Sequence, residues 1–123
     1  FEIKNIEMLG ETTINKLLSN KLKVYKDNPE AKNSLSLIIN SQSFKTTITK
    51  DKKGNPTQFS MSINVDVKVI DDSNNQTETT FSENSTYDNS DNKFDLRKYE
   101  DNLVKNMSEK IFSELTLFIQ TKN

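Results

Sequence analysis

From Phe59 to Val69 every odd position is apolar (Phe59, Met61, Ile63, Val65, Val67, Val69), with Ser60, Ser62, Asn64, Asp66 and Lys68 between them. Period-two alternation puts all the apolar residues on one face, so the run predicts a strand with one buried and one wet side. At about 3.4 Å per residue it spans roughly 37 Å, a strip that helices elsewhere in the chain must cover. The sequence offers one helix near each end.

Phe1 and Ile3 share one parity and Ile6 and Met8 the other, which predicts a first strand with a bulge near Lys4 and Asn5. Gly10 ends it. Ile14, Leu17, Leu18, Leu22 and Tyr25 then recur at helical spacing, with Thr12 or Thr13 as the expected cap and Pro29 as the stop. Ser34–Lys50 reads as a second long strand. Leu35, Leu37 and Ile39 lie on one parity and Phe44, Thr46 and Ile48 on the other, so a bulge between Asn40 and Ser43 is expected to keep both groups on the core.

Asp51–Pro56 has the composition of a hairpin turn, Gly54 supplying a positive φ and Pro56 opening the next strand. A second polar turn at 71–76 leads to a wetter, edge-like strand through Thr79, Phe81 and Tyr87. After a loop from Asp88 to Lys93, Asp95 is the expected cap of a helix of roughly 25 residues, whose stripe is Leu96, Tyr99, Leu103, Met107, Ile111, Leu115 and Phe118. The expected fold is α+β. A four-stranded, mostly antiparallel, twisted sheet carries two helices on one face, in the order β-α-β-β-β-α, as a single domain over 1–123.

Composition changes this picture little. Mean hydropathy is −0.78 and 32% of residues are hydrophobic, a balance that leans toward disorder, but the periodic blocks argue for a packed core. The net charge of −1 argues against nucleic acid as a partner. The charge is unevenly spread. Residues 1–56 hold ten lysines and six acids; residues 57–123 hold seven basic residues and twelve acids, concentrated from Asp71 to Asp95.

The absence of Cys and His removes thiol nucleophiles, most zinc and iron sites and the usual general base. No metalloprotease, CxxC, dinucleotide or P-loop motif is present. Ser90 and Lys93 have Ser-x-x-Lys spacing without the companion elements of that enzyme class. Asp88, Ser90, Asn92 and Asp95 offer oxygens for calcium but lack the central glycine and closing glutamate of an EF-hand loop, and helix capping explains them better. No enzyme, cofactor or metal site is therefore expected. The chain opens strand-like at Phe1, as a mature domain trimmed of an upstream segment would. The one basic concentration is Lys45, Lys50, Lys52 and Lys53, at and beside the tip of the first hairpin, where ammonium groups can meet phosphate or carboxylate.

These pieces together resemble the LptE family of lipopolysaccharide-assembly lipoproteins. The likeness rests on the strand from Phe1 to Met8, the helix Ile14–Tyr25 with its Leu17-Leu18-Ser19-Asn20-Lys21-Leu22 run, the hairpin at Lys53-Gly54-Asn55, the Phe59–Val69 strand, the strand end at Tyr87 and the Tyr99–Phe118 helix. It covers nearly the whole chain through element order and hydrophobic positions. What it implies is a lipid-anchored protein at the periplasmic face of the Gram-negative outer membrane, plugging an LptD-like β-barrel. It also implies lipopolysaccharide contacts at Lys52 and Lys53, with Lys50 adjacent. The alternative is a secreted or periplasmic protein-binding module, an inhibitor or adhesion accessory, on the same helix-on-sheet scaffold.

Overall fold

The computed structural model describes residues 1–121. Its elements are β1 (Glu2–Gly10), α1 (Thr12–Leu22) with a 3₁₀ turn at Lys23–Tyr25, β2 (Ser34–Lys50), β3 (Pro56–Ile70), β4 (Gln76–Asp88) and α2 (Lys93–Gln120). The strands form one sheet in the order β1-β2-β3-β4. β1 runs parallel to β2, and the other pairs are antiparallel. The α+β order β-α-β-β-β-α is thus the observed one, with both helices on one face of the sheet.

The odd positions of β3 form the floor of the core. Ile63, Val65, Val67 and Val69 are buried with Leu35, Leu37 and Ile39 of β2 and Ile3 of β1. Ile14, Leu18 and Leu22 of α1 and Met107, Ile111, Leu115 and Ile119 of α2 close over them. The bulge expected near Lys4 and Asn5 is present as a register shift between Ile3 and Asn5, and it lets Ile3, Ile6 and Met8 all meet the core side.

The second bulge is not where the sequence pattern put it. β2 pairs with β3 in unbroken register from Ser36 to Thr47, and the shifts come only between Thr47 and Lys50. Phe44, Thr46 and Ile48 therefore lie on the face opposite the two helices, with Phe44 50% and Ile48 48% exposed. Length explains this. The 11-residue α1 reaches only about 17 Å, so the far half of β2 has no α1 above it, and a parity switch there would bury nothing.

The helix ends also differ from expectation. Glu11, not Thr12 or Thr13, is the N-cap residue of α1 and makes no side-chain capping bond. The helix stops at Leu22, well before Pro29. Asn92, not Asp95, caps α2, its side-chain oxygen accepting from the backbone N–H groups of Phe94 and Asp95, which leaves Asp95 as a first-turn acid. On the α2 stripe Tyr99 is half exposed, and Ile119 rather than Phe118 is fully buried at the far end.

Gly10 is where β1 turns up into α1. Its φ is +93°, and a Cβ there would stand 1.9 Å from the Ser41 carbonyl oxygen, so no other residue fits without moving the backbone.

The parity assignment gives a direct comparison. Ile39→Ala should cost about 2–5 kcal/mol, as expected for a buried isoleucine, whereas Ile48→Ala should stay under about 1 kcal/mol. Equal losses in chemical denaturation would mean that Ile48 is a core residue.

Candidate functional site

The end of the molecule formed by the β2–β3 hairpin holds most of the chemistry-bearing residues. Its turn is built around Asp51. The carboxylate accepts from the backbone N–H groups of Lys53 and Asn55, each at 2.9 Å, and the Gly54 N–H donates to the Asp51 carbonyl at 3.0 Å. These bonds, the one from Asn55 foremost and against a smaller opposing effect of desolvation, hold the Asp51 carboxyl below its ordinary value. The β3–β4 turn repeats the device. Asp71 accepts from Ser73 and Asn75 at 2.9 Å, and Asn74 takes the positive φ that Gly54 takes in the first turn. The signal was present in the sequence as Asp-Lys-Lys-Gly-Asn and Asp-Asp-Ser-Asn-Asn, each an aspartate four residues before an asparagine.

This rigid turn fixes the backbone under Lys52 and Lys53, which are exposed at the tip, with Lys50 at the end of β2. Among the described residues none of the three forms an ion pair. Lys45 does not join them. It points to the helix side, where its ammonium lies 2.8 Å from Glu100 of α2 and 4.1 Å from the centre of the Phe59 ring.

Glu100 is the centre of a small network that sequence reasoning missed. One of its carboxylate oxygens accepts from both Lys45 and the Tyr87 hydroxyl. The Tyr87 ring packs against Phe59 and Tyr99 at centroid distances of 5.7 and 5.6 Å, over a second apolar cluster of Phe59, Met61, Tyr87 and Leu96. Burial raises the Tyr87 phenol well above its ordinary value, and the Glu100 carboxylate adds to the effect. Burial also works to raise Glu100, but the hydrogen bonds from Lys45 and Tyr87 and the charges of Lys45 and Arg97 outweigh it and hold the carboxyl below 4.5. No local motif announces such a trio, since its members come from β2, β4 and α2.

The acids between Asp71 and Asp95 divide between the two ends of the sheet. β3 and β4 run antiparallel, so Asp71 and Asp72 sit at the opposite end of the sheet while Asp88 returns to pair with Gln58 near the hairpin. Asp91 and Lys93 share a shallow cavity with Asp51 and Asn55. A larger groove of about 550 Å³ runs between the β4 end and the start of α2, lined by residues including Tyr87, Leu96, Tyr99 and Asp88. Its polar groups bind one another. Gln58 donates to Asp88 at 3.2 Å, and Asn89 donates to the Pro56 carbonyl at 2.9 Å while accepting from Ser90 and Lys93. Ser90 and Lys93 are thus part of the joint that leads into α2. Among the described residues no three carboxylates converge on a point where they could hold a metal ion.

Across β3 and β4 the sheet face opposite the helices is polar. Thr80 donates to Asp66 at 2.6 Å, Ser82 to Asn64 at 2.8 Å, and Lys68 pairs with Glu78 at 3.2 Å, forming rungs across β3 and β4. No helix among the described residues is long and apolar enough to cross a membrane.

No family model matches this chain, and no curated protein matches it in sequence. Solved structures do match in fold. A rare lipoprotein B from Shewanella oneidensis superposes with a TM-score of 0.65 at 10% identity, over 98% of this chain and 100% of that one. A lipoprotein B from Nitrosomonas europaea gives 0.58 at 11% identity over 91% and 79%, and a minor lipoprotein from Acinetobacter baumannii 0.57 at 11% over 90% and 89%. The chain has the fold of these bacterial lipoproteins along almost its whole described length.

The Glu100 network has a signed pH dependence. A carboxyl held lower in the folded than in the unfolded chain contributes stability above its ordinary value of 4.5, and that contribution is lost as the pH falls through the folded value. Glu100→Gln should lower stability at pH 7 by about 1–2 kcal/mol, with the gap to the parent narrowing as the pH is taken below 4.5. A gap that stayed constant across that range in thermal unfolding would show that the charge on Glu100 contributes nothing.

Proposed function

We propose that this protein is a non-enzymatic lipopolysaccharide-assembly component of the LptE kind. It plugs the lumen of an LptD-like barrel at the periplasmic face of the outer membrane, attached through a lipid anchor, and contacts lipopolysaccharide with Lys50, Lys52 and Lys53. The reading is carried by end-to-end agreement in fold with bacterial lipoproteins, the coverage being 98% of this chain and 100% of the Shewanella oneidensis protein, together with the sequence resemblance to LptE. The polar sheet face adds support. The interior of an outer-membrane barrel is hydrophilic, so a plug needs a surface of hydroxyls, amides and paired charges such as Asn64, Asp66, Thr80 and Ser82 supply.

A plug should leave the membrane with its barrel. Co-expression with the cognate barrel is expected to give one co-eluting species on gel filtration, and separate elution of two folded proteins would remove the plug role.

The tip lysines carry the ligand side of the proposal. Each exposed contact to a phosphate or acidic sugar contributes about 1 kcal/mol or less. The combined change Lys50→Glu, Lys52→Glu and Lys53→Glu should therefore weaken binding to immobilised lipopolysaccharide about tenfold or more at low salt. Melting temperature should not change, because the turn is held by Asp51 and not by the lysines. Raising ionic strength should weaken the parent as well. Unchanged affinity in the triple variant would place any lipopolysaccharide contact elsewhere.

A further inference from the structure

β1 leaves the sheet at Gly10, opposite Ser41, while β2 continues to Lys50. Beyond Ser41 the outer edge of β2 has no strand beside it among the described residues, and Gln42 through Lys50 are all exposed. Ser41 turns its carbonyl outward to the Glu11 N–H, at 2.9 Å. N–H and C=O of one residue point to the same side of a strand and alternate along it, so Ser43, Lys45 and Thr47 present theirs to the open edge. The register with β3 stays regular to Thr47. This is a short template for one more strand.

The two faces beside that edge are shaped for side chains. On the open face Phe44 is half exposed, next to the edge. On the helix face a cleft of about 250 Å³ is lined by Ser43, Ile14, Val104, Thr13, Glu11 and Asp101. An added strand would send the residue opposite Ser43 into this cleft and its two sequence neighbours toward the Phe44 face. Val104, only partly buried, suits an aliphatic stem. Glu11 and Asp101 are two exposed carboxylates on the cleft, and neither is in an ion pair among the described residues.

We propose that the Gln42–Thr47 edge of β2 is a β-augmentation site for an extended peptide segment with a lysine or arginine flanked on both sides by apolar residues. The basic side chain lays its stem on Val104 and sets its charge between Glu11 and Asp101, and one flanking apolar residue covers Phe44. A second copy of this chain fits poorly. Antiparallel self-pairing must match outward-facing residues, and the register that keeps Lys50 clear of β1 sets Thr49 opposite Ser43, so the cleft would receive no basic side chain. The inference stands apart from the lipopolysaccharide reading, since it uses none of the three tip lysines.

The probe is a nine-residue peptide, capped at both ends, alternating threonine and valine with a central lysine between two valines. It should bind saturably in fluorescence anisotropy and slow amide exchange at Ser43, Lys45 and Thr47. The same peptide with a central glutamate should bind about tenfold more weakly, since it loses two exposed charge contacts. Glu11→Lys and Asp101→Lys together should reverse that preference. Ser43→Pro removes an outward N–H that β3 does not use, so it should abolish peptide binding without lowering the melting temperature. If Ser43→Pro unfolds the chain, the exchange map and the reversal in the Glu11→Lys, Asp101→Lys variant decide alone. Failure of the lysine peptide to bind, binding that ignores the central charge, or protection mapped away from β2 would each overturn the proposal. So would a concentration-dependent dimer that buries this edge in sedimentation.

Discussion

Burial of the odd-numbered face of β3 is the constraint on which the rest of the structure depends. Ile63, Val65, Val67 and Val69 sit in the middle of the sheet, between β2 and β4 and beneath the helices, and each is at most 2% exposed. A strand of 15 residues spans about 50 Å, longer than α2, whose 28 residues reach about 42 Å. Four strands about 4.8 Å apart make a sheet only about 15 Å wide, so α2 runs along it rather than across it, and α1 is left to cover the β1 end. From this unequal cover follow two apolar clusters, a large one under both helices and a small one under the start of α2 alone.

The unequal cover also shapes the functional surfaces. Where α1 and β1 stop, β2 and β3 continue as a hairpin that is wet on both sides along β2, which carries Lys50, Lys52 and Lys53 clear of the core. α1 does not reach this projection, so its β2 side needs other stiffening. The Asp51 turn supplies part of it. Lys45, Glu100 and Tyr87 supply the rest, tying the root of the hairpin to β4 and α2 with charge-assisted bonds in a partly buried site. The same truncation of β1 at Gly10 leaves the β2 edge open beside the cleft under Glu11 and Asp101.

Charge is arranged by topology rather than by sequence segment. The acids between Asp71 and Asp95 look like one block along the chain, but β4 carries its two ends to opposite ends of the sheet. Asp71 stiffens one turn, and Asp91 comes close to the other. The basic tip therefore works in a mixed field, in which Asp51, Asp88 and Asp91 moderate the pull of three lysines on an anion.

Element order, the central strand, the bulge in β1, the Gly54 turn and the α2 stripe were legible in the sequence, because each rests on interactions within a few residues or on one face of one element. Period two and period three to four report which side chains share a face. The parity switch after Ile39 was also legible, but its meaning was not. Whether Phe44 and Ile48 meet a core depends on how far α1 extends above them, and no local pattern encodes that reach. The same limit separates Lys45 from Lys50, Lys52 and Lys53. All four are neighbours in sequence, yet the pleat turns Lys45 under α2 toward Glu100, a residue more than fifty positions away. The sequence by itself determined which residues want to be buried and which turns must form; the tertiary structure alone decided which polar and charged groups meet, because those meetings depend on register and helix length rather than on spacing along the chain.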